Sequence, residues 1–304
     1  MDSKTTTPVE TMDVVLSEYP TPGFRRLVAN ARRLPLMPII VLLLVAVAAV
    51  FAPVLAPHDP ARANLSIPFL PVAWQKGGSV SYALGTDNLG RDILSRLIWG
   101  ARVSMLVAAT VVVSGAGIGT ILGLISGYFG GRIDALIMQA TDTMLALPWL
   151  LIAIVIVAVI GASLKNIILV IILLQWAGFT RLVRGETLSL RSRDFVALAK
   201  VAGGRPLRIL ARHILPNVTN TIIVMATLQV GQVILFEAAL SFLGVGVPPP
   251  TATWGAMVAD GRTYIASAWW ISLFPGLVIT LVCLATNIFG DWLREALDPK
   301  RRQI

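Results

Sequence analysis

Charged residues are scarce. Only 13% of the 304 residues are Asp, Glu, Lys or Arg, against about 25% in an ordinary soluble domain. So few charges cannot cover a water-facing surface at this length. That argues against a soluble enzyme, a nucleic-acid-binding domain, a coiled coil or a disordered chain. Cysteine is scarcer still: Cys283 stands alone, so no intrachain disulfide and no thiolate metal cluster can form. The two histidines, His58 and His213, lie far apart with no ligand-like spacing. HExxH, CxxC and GxSxG are all missing, and with them the common metal and nucleophile constellations. No Gly-Lys pair occurs anywhere, which rules out a GxxxxGK(S/T) phosphate loop. The chain is therefore expected to be non-catalytic, to bind no cofactor or metal, and not to hydrolyse ATP by the phosphate-loop route on its own.

Apolar residues are abundant, at 56% with a mean hydropathy of +0.79. A hydrocarbon core of about 30 Å needs roughly 20 apolar residues per helix. Six stretches qualify: 36–56, 103–127, 135–160, 164–183, 217–245 and 268–293. The expected fold is an all-α polytopic membrane protein with six transmembrane helices. The first stretch is not a signal peptide. More than 30 residues precede it, and its apolar run is too long for an h-region. Orientation follows from the basic residues. With the N-terminus in the cytoplasm, 18 of the 25 Lys and Arg fall on inner segments and seven on outer ones, which favours two cytoplasmic termini. The net charge of +9 then records the cytoplasmic face, not nucleic acid. The domain reading is a cytoplasmic tail 1–33, a first helix 34–56 and an extracytoplasmic segment 57–102. A five-helix core 103–294 with a basic cytoplasmic loop 186–216 follows, and then a cytoplasmic tail 295–304.

Within this frame a few residues stand out. Gly115, Gly119, Gly123 and Gly127 repeat every four residues, a ridge on which another helix backbone can approach closely. Asp142 and Glu237 are the carboxylates placed within spans. Such groups are functional candidates by default, but near helix ends the expected role is a structural anchor. In the fifth span Asn217, Thr221, Met225, Gln229, Gln232 and Phe236 share an arc of about 120°. That stripe suits either a water-filled path or hydrogen-bond glue between helices. In the basic loop, Gly203-Gly204 ends one short helix and Arg205-Pro206 starts another. Leu207, Ile209 and Leu210 follow on an amphipathic turn, and Leu215-Pro216 leads into the next span. The turn fits a lipid-surface helix or a knob docking into a cytoplasmic partner. The outer loop 246–267 joins rigid Pro248, Pro249 and Pro250 to Trp254, Arg262 and Tyr264. These suit either protein docking or an interfacial aromatic belt.

The basic loop resembles the permease loop of bacterial ABC importers, Glu-Ala-Ala, three residues, Gly, then Leu-Pro thirteen residues on. Ala199, Gly203 and Pro216 match, while Ala197 and Leu198 stand at the Glu and middle Ala positions. More of the chain is similar to the second permease of the dipeptide, oligopeptide and nickel importers, with the dipeptide type most similar. The carriers are the runs 84–92, 95–97, 100–102, 127–131, 181–185, 237–244, 274–276 and 296–299; Tyr82 stands where the family often has His. The resemblance spans about 34 to 300. It implies a type I ABC importer permease fold in the bacterial cytoplasmic (inner) membrane. It also implies a second, related permease, two P-loop ATPases using ATP and Mg, an extracytoplasmic substrate-binding protein, membrane lipid around the chain, and no nucleic acid. The coupling loop would be 194–216, and the substrate dipeptides or short peptides. Nickel, haem and opine-like conjugates are alternatives. Rivals of other classes are an ion-coupled secondary transporter, or a membrane enzyme, for which no catalytic group is visible.

Overall fold

The computed structural model describes residues 35–297, so the tail expected at 1–33 and most of 295–304 lie outside the described residues. Compact units divide between Leu36 and Met37. Only residues 35 and 36 of the first are described, and the helical bundle from residue 37 onward is the second.

The chain forms α1 (Leu36–Val50), α2 (Ala52–Leu55), α3 (Ile93–Phe129), α4 (Gly131–Ala146), α5 (Trp149–Ile160) and α6 (Leu164–Arg191). Then come α7 (Asp194–Val201), α8 (Pro206–Ile209), α9 (Leu215–Phe242), α10 (Trp254–Gly261) and α11 (Trp270–Leu297). Among the described residues there is no strand, only a single bridge between Thr86 and Asp92. The helix limits have local causes. Asp92 caps α3 by accepting the Ser95 N–H at 3.0 Å, and Ser163 caps α6 by accepting the Asn166 N–H at 3.1 Å, each satisfying a first-turn donor. α3 stops at Gly130, whose φ of +67° is easy only for glycine. Pro148 lacks an N–H and forces Leu147 into extended backbone, so α4 and α5 meet at 90°.

The glycine ridge sets the core. A Cβ at Gly119 would lie 2.4 Å from the Phe179 Cβ, one at Gly123 2.7 Å from the Val183 Cβ, and one at Gly127 2.7 Å from the Thr187 Cβ. The partner sits 60 residues later each time, so α3 and α6 run parallel in one unbroken register. Parallel neighbours require the chain to return along the bundle between them, and the bent pair α4–α5 makes that return. α9 and α11 run antiparallel instead, with Gly231 against Cys283 and Gly290 against Leu228.

Among the described residues four helical stretches are long and apolar enough to span a bilayer: α3, α6, the continuous Pro206–Phe242 and α11. The α4–α5 pair makes a fifth if counted as one span. Two expectations change. The stretch 36–56 gives a helix of only 15 residues followed by α2, short of the roughly 20 that a straight crossing needs. α3 begins at Ile93, so the last ten residues of the segment 57–102 belong to a spanning helix.

Candidate functional site

At the Phe129 end of the bundle the basic loop folds as a helix, a break and a second helix. α7 ends at Val201 with Ala202 as its cap, and Gly203 (φ +78°) turns the chain. The Gly204 N–H donates to the Ala199 carbonyl at 3.0 Å; a Cβ on Gly204 would lie 2.7 Å from that oxygen, so Ala199 and Gly204 form one tight corner. Arg205 is extended and Pro206 opens α8. Leu207 projects outward, 78% exposed, and Leu198 and Val201 of α7 are exposed as well. Ile209 and Leu210 do not. Both are buried with Val183, Val196, Ile214 and Val218, which corrects their expected role as outward contacts. One turn of an amphipathic helix cannot present both faces, and here the Ile209 face meets the bundle. A π-helical turn, Leu210–Ile214, joins α8 to α9. Pro216, exposed in the first turn of α9, cannot donate back to the carbonyl four residues earlier, and the backbone widens just before it.

Ionic ties hold this end. Arg184 grips Asp134 with both arms, at 2.6 and 2.7 Å, a fork geometry that fixes orientation as well as charge. Ser126 donates to the same carboxylate. Arg191 donates to the carbonyls of Gly127 and Tyr128 at 3.3 and 3.0 Å, neutralising the C-terminal end of α3. Lys200 sits 5.4 Å over the Tyr128 ring.

The α9 stripe is half open. Asn217 and Gln232 are exposed, and Thr221, Met225, Gln229 and Phe236 are partly so. Two neighbours touch it. The Met225 Cε lies 3.2 Å from where a Gly178 Cβ would be, so α6 touches it there; Trp149 of α5 packs on Phe236 with ring centroids 3.4 Å apart. The Asn217 amide donates to the His213 carbonyl at 2.7 Å.

At the Ile93 end the turn 84–92 is an ionic knot. Asp87 accepts the Leu89 and Arg91 N–H groups, each at 2.9 Å, and the Arg91 Nε at 2.6 Å. Arg96 lies 3.4 Å from the same carboxylate. Asp260 of α10 approaches Arg91 and Arg96 at 3.7 and 3.5 Å. Burial pushes the Asp260 carboxyl above its ordinary value, while Arg96 and Arg91 pull it back. These three groups line a pocket of about 260 Å³ with Ser241, Pro248 and Pro249. Residue types in the run 84–92 do not disclose this knot, because its partner Asp260 lies far along the chain.

Trp254 is not on the outer surface. It is 1% exposed, its indole N–H donates to the Leu97 carbonyl at 3.0 Å, and it packs on Gly100. A docking or belt role is thus corrected to a core role. An indole with a satisfied N–H packs well between helices, and composition alone did not distinguish that from an interface aromatic. Pro248, Pro249 and Arg262 are exposed and Tyr264 partly so. Arg262 is tied to the end of α9, donating to the Phe242 carbonyl at 2.9 Å and lying 4.9 Å over its ring. Tyr264 packs on Phe69 at 4.8 Å. Glu237 is fully buried and accepts from Ser241 and Thr253, both at 2.8 Å, anchoring α9 to the cap of α10.

Residues 119–303 match the family described as binding-protein-dependent transport system inner membrane component. The chain is 43% identical to the dipeptide transport system permease protein of Haemophilus influenzae, over 88% of this chain and 91% of that one. It is 46% identical to the protein of the same name from Escherichia coli K12, over 84% and 85%. To the di/tripeptide transport system permease of Pseudomonas aeruginosa it is 45% identical, over 85% and 86%. The chain belongs to the ABC importer permeases of the dipeptide and oligopeptide family. Its fold is shared with a chain from the inward-facing MetNI methionine ABC transporter, at a TM-score of 0.57 and 14% identity, covering 68% of this chain and 98% of that one. The permease is thus a multi-pass membrane subunit of a transport system. Its three regions of interest lie on the bundle's two ends and one lateral stripe.

Proposed function

We propose that this permease forms half of the translocation path of an ATP-driven importer of dipeptides or short peptides in the bacterial inner membrane. The identity of 43–46% across nearly the full length of dipeptide permeases carries this reading. α1 and α2 together, 20 residues from Leu36 to Leu55, make a first crossing and α3, α4–α5, α6, α9 and α11 the other five, with both termini cytoplasmic. The basic Phe129 end then faces the cytoplasm, as the bias of Lys and Arg supports, and the Ile93 end faces outward.

A second, related permease completes the path. Two P-loop ATPases, using ATP and Mg, dock on the pair, one of them at the loop 186–216 through Leu207 and its exposed neighbours. A binding protein delivers substrate to the outer end, where Pro248, Pro249, Arg262 and Tyr264 offer contacts. The half-open stripe from Asn217 to Phe236 faces the path. ATP-driven closure of the ATPases moves α7 and α8, and the bundle transmits that movement because each nucleotide state favours one arrangement. A zwitterionic peptide needs such a route because charges in hydrocarbon are costly.

The test is reconstitution in liposomes with the partner permease, ATPases and binding protein encoded beside this chain. ATP-dependent uptake of Ala-Ala is expected. Uptake driven by an ion gradient without ATP would make it a secondary transporter, and uptake of nickel or haem in place of peptide would reassign the substrate.

A further inference from the structure

Arg181 of α6 pairs with Asp142 of α4 at 2.5 Å, and the place of this pair is unusual. Asp142 stands eleven residues into α4, and Arg181 ten residues before the end of α6. In the 60-residue register Arg181 stands level with Ile121 of α3, about 12 Å of helix inward from Phe129. The Arg181 side chain leans further inward still, because helical side chains tilt toward their N-terminus. Yet both side chains are open, at 55% and 59% exposure. The neighbouring Asp134–Arg184 pair, nearer the end, is far more covered at 18% and 29%.

Asp142 lies seven residues inside the apolar stretch 135–160 and Arg181 two residues inside 164–183, and a carboxylate so placed is more stable against water or a partner than against lipid. The two helices that carry it point to where it does face. Gly178, one turn along α6 from Arg181, is covered by Met225 of the stripe. α4 runs through the bend into Trp149, which packs on Phe236 of the same stripe. The pair therefore borders the face along which Asn217, Thr221, Gln229 and Gln232 are open. An exposed ion pair is also weakly held, so another ammonium and carboxylate exchange with it at little net cost.

We propose that Arg181 and Asp142 form a charge-selecting contact on the inner half of the peptide path. Asp142 receives cationic groups of the passing peptide and Arg181 its anionic groups, and the pair recloses behind it. The proposal rests on the function put forward above. It adds two specificity-determining residues to the uncharged stripe.

The experiment uses the full reconstituted importer and three dipeptides, Ala-Ala, Ala-Lys and Ala-Glu, each at saturation of the binding protein. Asp142→Asn should lower Ala-Lys uptake relative to Ala-Glu by about fivefold, and Arg181→Gln should shift the ratio the other way. Asp142→Glu and Arg181→Lys should keep the wild-type ratio. Equal changes for all three peptides would make the pair a structural clamp and overturn the proposal, while wild-type uptake of Ala-Ala leaves the assigned function standing. No uptake of any peptide by the wild type would sink both. If the neutral variants fail to assemble, Gln139→Cys, one turn along α4 from Asp142 and exposed, in a Cys283→Ser background gives a separate readout with the ion pair intact. Modification by a charged, water-soluble thiol reagent in the assembled importer supports a path position, and protection in every nucleotide state overturns it by placing the pair in a sealed subunit seam.

Discussion

Leu207 and Ile209 are two residues apart on one short turn and share the same apolar character. They differ in what surrounds them. Leu207 meets solvent while Ile209 is walled in by Val183, Val196 and Ile214. Leu207→Asp should leave the permease in the membrane at normal level and uncouple ATP hydrolysis from uptake, cutting uptake by tenfold or more at a similar hydrolysis rate. Ile209→Asp should instead deplete folded subunit, because a buried, unpaired carboxylate costs several kcal/mol. Quantitative membrane immunoblots beside uptake assays separate the two, and matched losses in both variants would refute the assignment of Leu207 as the outward contact. Trp254 gives a parallel contrast. Trp254→Ala should destabilise the permease by about 3–5 kcal/mol, the usual cost of deleting a buried aromatic. Thermal unfolding in detergent reads that loss. Arg262→Ala at the rim loses one hydrogen bond and one ring contact, which should cost only about 1 kcal/mol, and should weaken stimulation of the ATPase by the binding protein. The amphipathic turn and the aromatic loop were legible from residue type and spacing. Which apolar residue faced inward was not, because that depends on partners far away in the chain, such as Leu97 for Trp254.

Among elements, the α3–α6 contact is the one the sequence displayed most directly. A glycine every fourth residue can mean only that something packs close along one line, and the structure supplies Phe179, Val183 and Thr187 on the other side. The ridge gave no hint of its partner or of the parallel sense, because the sequence of α6 carries no matching small-residue repeat. Gly117 is the internal control: it lies on the same helix with nothing within 4 Å of its Cβ position. Gly117→Ala should be neutral or stabilising by up to about 1 kcal/mol, the intrinsic helix preference for alanine. Gly119→Ala must push apart a Cβ 2.4 Å away and a backbone oxygen 2.6 Å away. It should cost about 1–3 kcal/mol, as overpacking does. Urea or thermal unfolding of the two single variants distinguishes them, and equal midpoints would mean that the helices slide apart freely. The bend between α4 and α5 was hidden inside one apolar stretch. Pro148 marked it, but proline is tolerated within spans that have neighbours to satisfy the freed carbonyls, so the break could not be read from the residue alone.

For the whole molecule, the bilayer class, the helical fold and most crossings followed from composition and length, because hydrocarbon leaves a chain few other options. The family followed from motif runs spread along nearly the whole chain. The ionic knot at Asp87, Arg91, Arg96 and Asp260 did not follow, since it joins the start of α3 to α10, far along the chain. The proposed path would likewise be a property of an assembled pair of permeases. Single cysteines at Thr221, Gln229 and Gln232, in a Cys283→Ser background, should react with a small water-soluble thiol reagent faster in one nucleotide state than in another. Identical rates in all states would assign the stripe to helix–helix adhesion.

The unbroken register between α3 and α6 has a consequence for how the permease is made. When α3 leaves the ribosome, its glycine ridge has no counterpart, and the facing helix is finished only after about 60 further residues. At roughly 5–20 residues per second, the nascent chain waits about 3–12 seconds with that groove open to lipid or to the insertion machinery. Polypeptides cut short within 131–163 should therefore be degraded quickly after membrane insertion. Those extending past Arg191 should persist, the ridge having been closed before α9 is translated.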